Sequence, residues 1–120
     1  MKSKLARAET QLVKAALKYP GAYEDFPWGE RVIKVAKKIF LFIGMIEDGQ
    51  FRVAMKLPES AEAALCLPFA ERTGYNLGNS GWITAKFGKA DDPPVGILQD
   101  WIDESYRAVA PKKLVAELEN

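Results

Sequence analysis

Residues 28–56, WGERVIKVAKKIFLFIGMIEDGQFRVAMK, hold the three most strand-like runs in this 120-residue chain, joined by two short polar turns. From Arg31 to Lys37 successive side chains take alternate faces, Ile33 and Val35 on one and Val32, Lys34 and Ala36 on the other, so the run reads as a strand. Lys37-Lys38 makes a tight connection. Ile39 to Ile46 is apolar on both faces, as in a strand covered by helices on one side and partly shielded on the other. Asp48-Gly49 is a hairpin signal, because glycine accepts the positive φ that such turns require. Phe51, Val53 and Met55 then alternate with Arg52, Ala54 and Lys56, leaving one face for a core and the other basic.

Upstream, Leu5, Ala8, Leu12, Ala15, Ala16 and Tyr19 recur at helical spacing between lysines and arginines, which predicts an amphipathic helix over 3–18. Tyr19-Pro20-Gly21 ends it, since proline disfavours helical geometry in the residue before it. Residues 22–27 predict a short strand and Trp28-Gly29-Glu30 a turn. Downstream, Pro58 opens a helix over 58–67 with Ala61, Ala64 and Leu65 inward, and Pro68 stops it. Residues 73–79 read as a loop or brief strand. Trp82 to Phe87 is the last strand, with Ile83, Ala85 and Phe87 on one face and Trp82, Thr84 and Lys86 on the other. Asp91-Asp92-Pro93-Pro94 predicts a helix start with an acidic cap, followed by a buried stripe of Val95, Leu98, Ile102, Ser105, Tyr106 and Val109. Pro111 to Leu118 adds a turn or two. The expected fold is α+β: an antiparallel sheet of four to six strands with the N- and C-terminal helices packed on one face, as a single domain over 1–120.

Composition is ordinary for a globular protein, 48% hydrophobic and 28% charged. A chain of this length buries about two thirds of its unfolded surface and stands without disulfides. No apolar run approaches the roughly 20 residues that span a bilayer, and the charged start lacks a signal-peptide core, so a cytoplasmic protein with no membrane association is expected. The single cysteine, Cys66, sits among Ala64, Leu65 and Leu67 and is expected to be a small buried hydrophobe. Histidine is absent, which removes histidine-based triads and imidazole metal ligands. Charge is polarised: residues 1–56 carry eleven Lys and Arg against six Asp and Glu, and residues 57–120 carry six against ten. No phosphate loop, dinucleotide fingerprint or nucleophile elbow is present, so neither an enzyme nor a cofactor is expected.

Four segments resemble the MmcQ/YjbR family of small bacterial proteins: ALKYPGAYEDFPWGE (16–30), FRVAMKLPESAEAAL (51–65), YNLGNSGWITAKF (75–87) and LQDWIDESYRAVAPKKL (98–114). The resemblance implies a CyaY-like, frataxin-like fold and a small DNA-binding protein of the double-wing type, monomeric or weakly dimeric. The chain departs from the family pattern before Gly81-Trp82, where Asn79-Ser80 stands in place of a more usual lysine or histidine.

Three constellations can carry a function. Lys34, Lys37, Lys38, Arg52, Lys56 and Lys86, with Trp82 and Thr84 beside Lys86, form a basic sheet face suited to phosphates, with an aromatic for base stacking. The alternative is a protein-interaction or small-ligand module at a cleft lined by Trp28, Gly29, Gly81 and Trp82. The acidic set Asp91, Asp92, Asp100, Asp103 and Glu104 invites comparison with the iron-binding ridge of frataxins, but helix capping and a solvated face account for it, and no metal site is expected.

Overall fold

The first helix, α1 (Lys4–Leu17), begins where Ser3 accepts a hydrogen bond from the Ala6 amide at 3.1 Å and stops ahead of Pro20. The computed structural model describes residues 3–46, 49–74 and 80–118, with the side chain of Trp28 outside that set. After α1 the chain lays down β1 (Tyr23–Asp25), a 3₁₀ turn at Pro27–Gly29, and β2 (Val32–Val35), β3 (Lys38–Met45) and β4 (Phe51–Lys56). There follow α2 (Ala61–Ala64), β5 (Ala70–Arg72), β6 (Trp82–Phe87), α3 (Val95–Val109) and α4 (Lys112–Glu117). The strands make one antiparallel sheet in the order β1-β2-β3-β4-β6-β5. Both long helices pack against the same face of β3, with α3 also on β4 and α1 on β2. The α+β architecture and the one-sided helix layer are therefore as expected.

Burial explains the layering. Leu5 and Leu12 of α1 and Leu98, Ile102 and Tyr106 of α3 are fully buried against Ile33, Leu41, Phe51, Val53, Met55 and Ile83 of the sheet. Each such side chain contributes about 1.5–3 kcal/mol, so the helices are held by their apolar faces more than by intrinsic propensity. Tyr19, Phe40 and Tyr106 form an aromatic cluster where α1 ends, and the Tyr106 hydroxyl donates to the Pro20 carbonyl at 2.6 Å.

The β2–β3 turn lies one residue earlier than expected. Ala36 and Lys37 both take positive φ, 50° and 68°, which matches the tight two-residue hairpin, and Lys38 already belongs to β3. The pairing of β2 with β3 slips between Ile33 and Lys34, where Leu41 and Ile39 are the partners, so Phe40 is the extra residue of a bulge. This is why the neighbours Phe40 and Leu41 are both buried. Glu47 and Asp48 of the second turn lie outside the described residues; Gly49 has φ 72°.

Four expectations are corrected. The helix predicted over 58–67 is a single turn, Ala61–Ala64, because the chain tightens after it into turns in which the Cys66 and Leu67 amides bond three residues back, to Ala63 and Ala64. Cys66 is exposed: with Ala64, Leu65 and Leu67 turned toward the core, the residue between them faces out. A strand missed after Pro68, β5, pairs with β6, whereas residues 75–79 of the loop expected over 73–79 lie outside the described residues. Helix α3 begins after Pro94 with no side-chain cap; Asp91 instead closes a turn, accepting from the Gly88 amide at 2.6 Å.

Candidate functional site

Neither α1 nor α3 packs on the other face of the sheet, yet Val32, Ala54, Trp82 and Thr84 on it are buried. Register decides which side chains share it. Ala54 lies opposite Phe42 and Thr84, Arg52 opposite Gly44 and Lys86, and Lys56 opposite Trp82. Val32 pairs with Phe42, and Lys34 follows on the same side. Lys34, Arg52, Lys56, Trp82 and Lys86 are thus cofacial, with Lys37 and Lys38 at the adjoining turn.

Tertiary pairing divides these cations. Lys34 Nζ meets Asp25 Oδ2 at 2.8 Å, Arg52 meets Glu30 at 2.7 Å, and Lys86 meets Glu71 at 2.8 Å. The hydrogen bond from Lys34, helped by the Phe26 amide, holds the Asp25 carboxyl below its ordinary pKa, and the same bond raises that of Lys34. Such exposed pairs are weak, but each cancels the field of a cation. Lys37, Lys38 and Lys56 have no ion pair among the described residues. They sit at one end of the sheet, because the start of β3 and the end of β4 run side by side. Beside that end lies α4 with Lys112 and Lys113: a Cβ on Gly21 would stand 3.2 Å from Leu114 and 3.6 Å from Val35, so these three residues are in one packed group. Lys112 and Lys113 are exposed and also lack ion pairs among the described residues.

Trp82 is not the exposed aromatic that base stacking requires. Only 8% of it is accessible, and its ring meets that of Phe42 edge-on, with centroids 5.6 Å apart and planes at 69°. Phe42, half-buried in the middle of the sheet, is one aromatic that the face presents, and Tyr23, opposite Lys34 on the edge strand β1, is another, 41% exposed. The all-apolar run Ile39–Ile46 hid Phe42; the Asp48-Gly49 hairpin signal in the sequence, which predicts a β3–β4 pairing, was the available pointer, and in that pairing Phe42 lies opposite Ala54. A trough of about 570 Å³ lies over this face, with Phe42, Ala54 and Thr84 in its lining and the Arg52–Glu30 and Lys86–Glu71 pairs at its sides. A smaller hollow of about 240 Å³ adjoins it, lined by Phe26, Gly29, Arg31 and Phe42 among others.

The alternative cleft is not assembled among the described residues. Gly29 lies near Arg52, while Gly81 packs on the backbone of Leu57, five residues further along the same chain and roughly 17 Å away. Gly81 (φ 87°) serves a close backbone approach, with its carbonyl accepting from the Leu57 amide at 2.8 Å. The Trp28 side chain lies outside the described residues.

Three carboxylates of the acidic set, those of Asp91, Asp103 and Glu104, have structural partners. Glu104 accepts from the amides of Glu59 and Ser60 at 2.9 and 3.0 Å, and Asp103 accepts from the Tyr19 hydroxyl at 2.8 Å and from Arg107 at 2.7 Å. No three His, Cys, Asp or Glu side chains are grouped for a metal among the described residues. Arg31, on the helix side, joins Glu9 at 3.1 Å; its Nε lies 3.0 Å from Glu24, close enough for an ion pair but off the line of a hydrogen bond.

The YjbR family model matches residues 17–108, from the end of α1 through most of α3. The chain belongs to the YjbR family. A crystal structure of Deinococcus radiodurans protein DR2400, a DUF419-domain protein, is similar to this YjbR chain with a TM-score of 0.68. The two are 23% identical over 92% of this chain and 86% of the other, a likeness of fold. No curated protein matches the sequence. No helix among the described residues of this YjbR protein is long and apolar enough to cross a membrane.

Proposed function

We propose that this YjbR protein is a non-catalytic nucleic-acid-binding protein, DNA its first candidate, that engages phosphates through the sheet end bearing the β2–β3 turn. The observation that supports this is the division of the cations. Lys34, Arg52 and Lys86 are matched by carboxylates, whereas Lys37, Lys38 and Lys56 lie at one end of the sheet without ion pairs among the described residues, Lys38 toward the Val35 side and Lys56 toward the Trp82 side, with Lys112 and Lys113 on the adjacent helix. A phosphate backbone rewards several uncompensated cations on one surface, because each contact releases condensed counterions. The contact surface is therefore the end of the sheet rather than its whole basic face.

Fluorescence anisotropy with labelled DNA tests this. Binding at about 50 mM salt is expected to weaken with a slope near −3 in log K against log salt if the three lysines each meet a phosphate. Replacing Lys37, Lys38 and Lys56 by alanine should abolish most of that slope, while Lys34→Ala and Lys86→Ala should change it little. Absence of binding at that salt, or equal effects from paired and unpaired lysines, would count against the reading.

A further inference from the structure

The trough on the open face adjoins the lysine end, and its chemistry differs from that end. Four of its five charged side chains come as opposed pairs, Arg52 with Glu30 and Lys86 with Glu71, and the fifth is Arg72. A phosphate backbone laid across this face would meet Glu30 and Glu71, and no helix projects from it among the described residues to enter a duplex groove. Its floor is apolar and aromatic instead: Phe42 is half-exposed and lines both the trough and the neighbouring hollow. Ala54, opposite Phe42, is two residues from Lys56 on the same face of β4, roughly 7 Å. A nucleotide whose phosphate rests on Lys56 therefore has Phe42 within reach of its base. The carboxylates that repel phosphate accept hydrogen bonds from exocyclic amino groups, which an unpaired base exposes.

We infer that the nucleic acid this protein takes is single-stranded, with its backbone at Lys37, Lys38 and Lys56 and an unpaired base stacked on Phe42 in the trough. This rests on the lysine-end reading and adds the form of the partner. Aromatic stacking under a base is tolerant of sequence and carries a large share of single-strand affinity.

The test compares a labelled single strand of roughly 12 nucleotides with its duplex at about 50 mM salt. The proteins are wild type, Phe42→Leu, Phe42→Trp and the triple alanine variant at Lys37, Lys38 and Lys56. Far-ultraviolet circular dichroism and a thermal midpoint confirm that each is folded. The single strand is expected to bind more tightly than the duplex. Phe42→Leu, which keeps an apolar floor, should weaken single-strand binding roughly five- to a hundredfold and leave duplex binding unchanged. Phe42→Trp should restore it. If the triple variant loses binding while Phe42→Leu loses none, or loses both forms equally, the stacking role is overturned and the lysine-end reading stands. Duplex binding as tight as single-strand binding or tighter overturns it in the same way, leaving the trough to another ligand. No binding to either form overturns both.

Discussion

Ser105 shows how one hydroxyl can replace a ladder bond. The β3–β4 register, continued past Phe42 and Ala54, would set Phe40 opposite Lys56. There the buried Ser105 hydroxyl stands between the strands, donating to the Phe40 carbonyl at 2.6 Å and accepting from the Lys56 amide at 2.9 Å. It serves the carbonyl of the bulged residue and locks α3 into the sheet just where Lys56 is presented. Ser105→Ala leaves two backbone groups short of a partner and is expected to cost about 1–3 kcal/mol in a urea denaturation, with Ser105→Thr overpacking the same site. In the sequence Ser105 was legible only as one member of an inward stripe. Its partners lie 65 and 49 residues away, and no local pattern encodes them. Phe42 was obscured for a related reason: a strand apolar on both faces does not reveal which of its rings remains partly open.

At the scale of elements, the long periodic segments were readable and the short ones were not. α1, β4, β6 and α3 each repeat their pattern over several residues; burial followed it in the helices, while in the strands Ala54, Trp82 and Thr84 of the opposite face are buried as well. α2 has one turn, too short to hold itself, and Glu104 of α3 accepts from the amides of Glu59 and Ser60 just before it, adding a bond to the Ser60 hydroxyl. Glu104→Ala is expected to lower stability by about 1 kcal/mol and to raise amide exchange at Glu59 and Ser60, whereas Asp100→Ala on the same helix should do neither. β5, at three residues, offered no alternation long enough to detect; its pairing with β6 is what makes it a strand. The acidic run before α3 looked like a cap because Asp and Pro favour helix starts, yet Asp91 closes the preceding turn.

At the scale of the whole molecule, α1, α3 and the sheet meet in the cluster of Tyr19, Phe40 and Tyr106, and this cluster couples folding to alkaline pH. Burial first, and then the hydrogen bond to Asp103, raise the Tyr19 phenol well above its ordinary value of 10.0; burial, then Glu117, raise Tyr106. Groups raised in the folded state contribute stability that is complete below their unfolded pKa and is lost as pH climbs beyond it, because the unfolded chain ionises first. Stability should therefore decline above roughly pH 10, read as a falling urea midpoint, and Tyr19→Phe should flatten the decline. A decline as steep in Tyr19→Phe as in the wild type would contradict this. By itself the sequence determined the helical stripes, the alternation of β4 and β6, the turns and so the α+β class, because spacing dictates where a side chain points relative to its own backbone. Only the tertiary structure decided which cations remain uncompensated, that Phe42 rather than Trp82 is a presented aromatic, and that Gly29 and Gly81 stand apart. Those outcomes depend on register and on partners distant in the chain, Arg52 with Glu30 and Lys86 with Glu71, which side-chain spacing within one element does not specify.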